Sequence, residues 1–443
     1  MVQMLDSYFK HGTVTDVTLK FVPQVRFPAV TICNLNNFED NLLTVEEKHY
    51  LSYILYGVQE DLDVIAGVPV NNKVTNGTTP NGTTATPQTE PPHTHGSFTV
   101  DSITREKGFS LKDMHMCTWM GKTCTELDFT HSFGTYGNCY TFNADPVDPI
   151  NQTIAGSGNG LSVMIDIKSH LYTENPLLPG GTADVGMKLL VHDQSEPPKM
   201  DTQGIAVAPG SHAYIAIRQI QYENHVPPWG ECEDLQLEYY DTYTLTGCQL
   251  ECRSKYVVHN CTCRPIYLPG DAPYCEPVYV AKCVWPVEAA VTSGALPCDC
   301  PVPCNLMTYR TSSSYAKWPN SKADLVYTAA FGLSPGYMAE NSVVFDVYYD
   351  ELNYEVISQL KAMSDGELAS DLGGQMGLFI GASILTLLEI FEYLGLRLWA
   401  FIQKRKKRTQ KVHVSTSNTL KVNQAAKENE NKNKEKSFIS LRD

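Results

Sequence analysis

The sequence predicts an α+β membrane protein: a large disulfide-rich extracellular domain followed by one C-terminal transmembrane helix. Three observations carry that prediction. All 14 cysteines stop at Cys304. Short β-branched runs alternate with helical stretches through the same region. A long apolar segment then leads into the basic block Lys404 to Arg408.

In chain order, the N-terminal MVQMLDSYFK lacks the apolar core of a signal peptide, so an export or transmembrane segment is expected to precede it in a longer product. FPAVTIC (27 to 33) is a strand signal opened by proline. Helices are expected at 41 to 56, 242 to 256 and 321 to 331, the last opening at Ser321 with Asp324 three residues on. The runs 161 to 167, 187 to 192, 213 to 220 and 343 to 349 read as further strands, several continuous enough to be buried. Turns at 227 to 230 (PPWG) and 269 to 273 (PGDAP) separate them. Residues 73 to 94 are mostly Thr, Pro, Gly and Asn, with hardly an apolar side chain, and read as a glycosylated surface insertion.

Cysteine usage points to an oxidising compartment. The close pairs Cys261/Cys263 and Cys298/Cys300 lack zinc-ribbon spacing and an accompanying His cluster, so no metal is expected. Asn76, Asn81, Asn151 and Asn260 each open a glycosylation triplet. Residues 403 to 443 hold twelve Lys/Arg against four Asp/Glu in a chain of net charge -15, which places the C-terminus in the cytoplasm. With no P-loop, nucleophile elbow or catalytic triad, an enzyme is not expected. Neither a cofactor nor a nucleic-acid partner is called for.

The apolar segment is the informative one. From Met376 to Leu388 it carries no charge, and its apolar character continues to Ile402, about 26 residues, enough to span a bilayer. Glu389, Glu392 and Arg397 interrupt its second half. Charges at membrane depth are costly and face protein or water. These residues alone leave two readings open, a plain anchor with late charges at the interface or a pore-lining helix.

The strings FPAVTICN (27 to 34), YGNCYTFN (136 to 143), GNGL (158 to 161), QSEPP (194 to 198), VAPG (207 to 210), PPWG (227 to 230), LPGDAPYC (268 to 275), PCNL (303 to 306), ELNYE (351 to 355) and DLGGQMGLFIGAS (371 to 383) run in order along the chain. Together they resemble the epithelial sodium channel/degenerin superfamily, and within it the acid-sensing ion channels. The resemblance implies a homo- or heterotrimeric, sodium-preferring cation channel of the plasma membrane, embedded in the lipid bilayer, with protons as agonist and Na+ as permeant ion. It implies an extracellular domain over 1 to 373 built as palm, finger (roughly 38 to 131), thumb (230 to 305), knuckle (319 to 340) and β-ball. A pore-lining second helix over 374 to 402 and a cytoplasmic tail over 403 to 443 complete the plan. The implied disulfides are Cys33 with Cys139, Cys117 with Cys124, Cys232 with Cys304, Cys248 with Cys300, Cys252 with Cys298, Cys261 with Cys283 and Cys263 with Cys275.

The same resemblance implies site residues. Gly381, Ala382 and Ser383 match the selectivity filter, where small residues let segments approach and backbone carbonyls replace ion hydration. Glu389 and Glu392 would form carboxylate rings below it. Leu352 and Asn353 match a gating linker, and Trp229 the wrist aromatic that couples thumb to pore. Proton sensing rests on clustered carboxylates that raise one another's pKa. Glu238, Asp241 and Glu288 are the thumb-region candidates, and Asp346, Asp350 and Glu355 those of the palm.

Departures from the family accompany these matches. Trp285 and Ala289 stand where thumb aspartates occur, and Gln219 where a pocket glutamate occurs. Gln249 and Arg253 replace the arginine and glutamate of a chloride site. Glu367 takes a position that is usually small, and the first membrane helix has no counterpart in the sequence. The expected function is a proton-gated, sodium-selective channel subunit. The alternatives are a non-conducting or regulatory ectodomain subunit, or a channel gated by another ligand.

Overall fold

Strand β14 (Ser342–Lys361) is the spine of the domain, and the computed structural model describes residues 2–56, 98–173, 184–380 and 385–405 around it. In its first half β14 pairs antiparallel with β9 (Leu161–Asp166), from Ser342 opposite Asp166 to Val347 opposite Leu161. In its second half it pairs antiparallel with β1 (Thr13–Phe21), from Asn353 opposite Phe21 to Lys361 opposite Thr13. β12 (Ser211–Glu223) runs parallel to it on the other side, and β13 (Asn305–Lys317) continues the sheet antiparallel to β12. The hairpin β4 (Met114–Trp119) and β5 (Lys122–Thr123) extends it beyond β9.

Burial explains why the first half of β14 reads as a continuous apolar run. Val343, Phe345, Val347 and Tyr349 enter the main core with Phe27, Ile215 and Ile217, while Val344 faces Met164 and Met338 on the opposite side. Both faces are covered, so no polar alternation is needed. Beyond Tyr349 the strand turns polar because its new neighbour, β1, is an exposed edge. The sequence alone ends this strand twelve residues too early for that reason.

A second sheet has the order β11 (Ile205–Val207), β10 (Met187–His192), β3 (Ala29–Asn34), β7 (Gly137–Phe142) and β6 (Phe129–Gly134). Cys33 and Cys139 face each other across β3 and β7 and are disulfide-bonded. β2 (Val25–Arg26) and β8 (Asn151–Gln152) form a small separate ladder.

The helices are α1 (Val2–Phe9), α2 (Val45–Tyr56), α3 (Val100–Lys107), which packs on β7, α4 (Leu245–Cys261), α5 (Trp285–Thr292), which packs on α4, and α6 (Ser321–Phe331). Thr244 caps α4 by accepting from the Gly247 amide. α6 is capped by Asn320, whose side chain accepts from the amides of Lys322 and Ala323. Ser321 is therefore the first helical residue and not the cap, and Asp324 is drawn away to accept from the Gly336 amide at 2.8 Å.

The described residues fall into two compact units, Thr13–Lys361 and, separately, Met1–Gly12 with the residues from Ala362 onward. In the second unit α7 (Asp365–Ile380) begins with a reciprocal box: the Ser364 amide donates to Glu367 Oε2 at 2.7 Å and the Glu367 amide to Ser364 Oγ at 3.2 Å. Glu367 thus has a local capping role that accounts for a bulky acid at this position.

The expected membrane span over 374 to 402 is corrected here. No helix among the described residues is long and apolar enough to cross a membrane. α7 has 16 residues, about 24 Å against a hydrocarbon core of roughly 30 Å, and it carries Asp365, Glu367 and Asp371. The helical residues 385 to 405 are longer but hold Glu389, Glu392 and Arg397, which break every apolar window. The transmembrane assignment, the plasma-membrane placement and the orientation with a cytoplasmic C-terminus all rested on that segment, and they fall with it. The disulfide-rich α+β part of the expectation stands.

Candidate functional site

Disulfides fix the elements that carry the candidate carboxylates. Cys248–Cys300 and Cys252–Cys298 tie one face of α4 to the segment before β13, and Cys232–Cys304 closes the outer loop. Cys261–Cys283 and Cys263–Cys275 hold the far end of α4, and Cys117–Cys124 closes the β4–β5 hairpin. With Cys33–Cys139, these are the pairs that the resemblance implies, and no described cysteine is free.

On this frame the three thumb-region candidates separate. Glu238 is exposed and lies 3.4 Å from the ammonium of Lys255. Asp241 is exposed in the loop before α4. Glu288, on α5, turns inward: its Oε2 accepts from the Tyr267 hydroxyl at 3.0 Å, and its Oε1 lies 3.8 Å from Arg253 of α4. Arg253 is equally 3.8 Å from Asp201, so one guanidinium stands between two carboxylates. Burial raises the Glu288 carboxyl above its ordinary value; Tyr267 and Arg253 oppose the rise, and Asp201 adds to it. The position that carries a glutamate in the family thus carries the cation that restrains Glu288.

Across from this group, α2 meets the turn Pro277–Tyr279 and the π-helical turn Val280–Val284. The Lys282 ammonium sits 5.1 Å from the centroid of the Tyr53 ring. A cation over an aromatic face is part of this junction.

The palm candidates lie along β14. Asp346 is buried, 3.5 Å from His212 Nε2, and accepts from Ser157 Oγ at 3.3 Å. Burial would raise its carboxyl, but His212, Ser162 and Ser157 beside it outweigh that and hold it below the ordinary range. His212 stacks on Tyr214 with centroids 4.1 Å apart. Asp350 is exposed and accepts from Arg218 Nη2 at 3.0 Å. Glu355 is half-buried between Leu19 of β1 and Ile220 of β12.

The linker residues occupy a break in register. β12 keeps step with β14 up to Ile217 opposite Tyr349, and resumes with Gln219 opposite Tyr354. Asp350 to Asn353 of β14 therefore bulge against the single residue Arg218. Leu352 accepts from the Val22 amide, and Asn353 Nδ2 donates to Glu351 at 2.6 Å. Gln219 is buried, its Oε1 accepting from the Tyr349 hydroxyl at 3.2 Å, so this side chain belongs to the core and not to an open pocket. Trp229 lies under the Lys361 ammonium at 4.8 Å.

Other candidates divide by position. Asn151 and Asn260 are exposed, whereas Asn76, Asn81 and Gly381, Ala382 and Ser383 lie outside the described residues. Glu389 and Glu392 are exposed on the helical residues 385 to 405. Asp201, His212, Arg218 and Tyr267 were missed by sequence reasoning. Each acquires its role from a partner remote in sequence, and none has a local motif to announce it.

The sequence profile of the amiloride-sensitive sodium channel family matches residues 1–393. The chain is 35% identical over 399 residues to acid-sensing ion channel 2 of Mus musculus, covering 87% of this chain and 76% of that protein. It is 33% identical over 408 residues to the bile acid-sensitive ion channel of Rattus norvegicus, covering 90% and 79%. With acid-sensing ion channel 1 of Gallus gallus the identity is 35% over 398 residues, covering 87% and 73%.

Proposed function

Because the chain belongs to the amiloride-sensitive sodium channel family, we propose that it is a regulatory subunit of a sodium-channel assembly, its disulfide-rich domain answering a ligand other than the proton. Members of this family are ion-channel components, and the chain is not an enzyme. Its partners in this reading are related subunits, in a homo- or heterotrimer.

The observation that carries the reading is the Asp201–Arg253–Glu288 group. A proton switch built on carboxylates draws its response from like charges that repel until one is neutralised. Here a fixed positive charge already separates the two acids, and Glu238 faces a lysine. The α2 junction is made by Lys282 and Tyr53. Relatives of similar identity are named for different stimuli, acid in one case and bile acid in another, so a change of ligand is within the family's range.

Whole-cell recording tests this. The full chain is expressed alone and together with mouse acid-sensing ion channel 2. Alone, acid steps are expected to evoke no amiloride-blocked sodium current. Together, the two chains are expected to co-purify and the acid-evoked current to change in size or in its half-maximal pH. An acid-evoked current from the chain alone would restore the proton-gated reading. No co-purification with an unchanged current would sink the regulatory one.

A further inference from the structure

Between the second sheet, β13 and the first turns of α4 lies a cavity of about 480 Å³. Small organic ligands occupy clefts of roughly 300 to 1,000 Å³, with apolar walls and a few converging polar groups. This cavity has that character. Leu189, Val191, Ile205 and Leu306 give it an apolar wall, while Lys199 and Glu196 supply charge at the α4 end.

The polar groups are not equivalent. His192 also lines the cavity, but it is buried with both ring nitrogens engaged: Nε2 meets Thr31 Oγ1 at 2.7 Å, and Nδ1 meets the carbonyls of Asp193 and Glu196 at 2.9 Å. Those carbonyls can only accept, so Nδ1 carries a proton, and burial of the ring disfavours its charged form. Glu196 accepts from the Thr246 hydroxyl at 2.6 Å. Lys199 donates to the neutral amide of Gln249 at 3.2 Å, which leaves its charge uncompensated by that partner. Leu245, Thr246 and Gln249 belong to the first turns of a 17-residue helix, whose N-terminal dipole adds positive potential at the same end.

The geometry points to a binding site for a small amphipathic organic anion, a carboxylate or sulfonate on an apolar body, with its head on Lys199 and its body against Leu189, Val191 and Leu306. A bound molecule would touch α4 and β13 together. The inference is independent of the regulatory reading, since it is read by binding and not by current. Glu196 is the acidic side chain that lines the cavity at that end. Burial raises its carboxyl, with Asp193 adding to the rise and Thr246 and Lys199 opposing it, so acidification removes the repulsion and strengthens anion binding.

The test is calorimetric titration of the full chain with dodecanoate below its micelle concentration, with acetate and dodecyltrimethylammonium as controls. Saturable binding of one dodecanoate per chain is expected, at least tenfold tighter than either control. Lys199→Glu is expected to weaken dodecanoate at least tenfold, and Glu196→Gln to strengthen it at pH 7. Thr308→Trp, which fills the cavity from β13, is expected to abolish it. Lys199→Gln, a mild change at a half-buried residue, provides the check should the tryptophan variant misfold. Absence of saturable binding would overturn the site. So would dodecanoate affinity unchanged in the two Lys199 variants, or acetate or the cation binding as tightly as dodecanoate.

Discussion

Arg218 of β12 is the single residue that faces the four-residue bulge Asp350 to Asn353 of β14, and its guanidinium holds Asp350 at 3.0 Å. The pair is exposed, so its worth to global stability is small. Its effect is local, because it tethers the bulge that interrupts the pairing of β14 with β12. Arg218→Ala is expected to leave the unfolding temperature unchanged while raising amide hydrogen exchange at 350 to 354 severalfold. Equal exchange in the variant and the parent would show that the bulge is held by other contacts.

Gly160 ends the turn before β9. A Cβ there would lie 1.9 Å from the Val347 carbonyl oxygen and 2.9 Å from the Tyr348 Cα, both backbone atoms that cannot swing aside. Gly160→Ala is expected to cost about 3 kcal/mol or more, by forcing β9 away from β14. Gly156, whose added Cβ would meet nothing but whose φ is +92°, serves as a contrast in which strain acts without collision. Denaturant titration of the two variants reads the difference.

Glu196 and Asp346 respond to pH with opposite signs. The Glu196 carboxyl is raised in the folded state above its ordinary 4.5, so the folded chain holds that proton more tightly than the unfolded chain. Its contribution to stability therefore falls as pH rises from 4.5 through the folded value. Glu196→Gln is expected to be more stable than the parent at pH 7 and equal to it below pH 4.5. Asp346 is depressed below its ordinary 3.8, so its stabilisation is present above 3.8 and is lost as pH falls through the folded value. Asp346→Asn is expected to be less stable at pH 7, with the difference closing in acid. Unfolding midpoints across pH 3 to 8 test both signs at once.

Two of the disulfides differ mainly in the length of chain they close, 72 residues for Cys232–Cys304 and 12 for Cys263–Cys275. In the chain-entropy account isolated closures of these lengths differ by about 1.6 kcal/mol, and the nested Cys248–Cys300 bond, which already ties the two arms of the longer loop, makes the difference smaller. Paired Cys→Ser variants and their unfolding free energies measure this. A larger loss from the short closure would mean that packing around Cys263 and Cys275, not loop entropy, decides the outcome.

Legibility in the sequence followed locality. The strand 187 to 192 and the helix 321 to 331 have the ends that periodicity assigns, because their boundaries are set by neighbouring residues. Asn320 displaced Ser321 as the cap because an Asx side chain reaches two amides from one position. The membrane span over 374 to 402 is read from an apolar total, whereas no helix among the described residues is long and apolar enough to cross a membrane. In the candidate site, Glu288 could be named from its helix. That Arg253 and Asp201 would restrain it depends on how α4, α5 and the loop before β11 come together, which no local pattern encodes.

The division of β14 between two partners has a mechanical meaning. Its first half is buried on both faces and its second half is zipped to an exposed edge strand, so one covalent rod is clamped firmly at one end and lightly at the other. The bulge opposite Arg218 is the compliant joint between the clamps. A pull on Lys361 would be absorbed there first, peeling the lighter half before any displacement reached Tyr349 and the core.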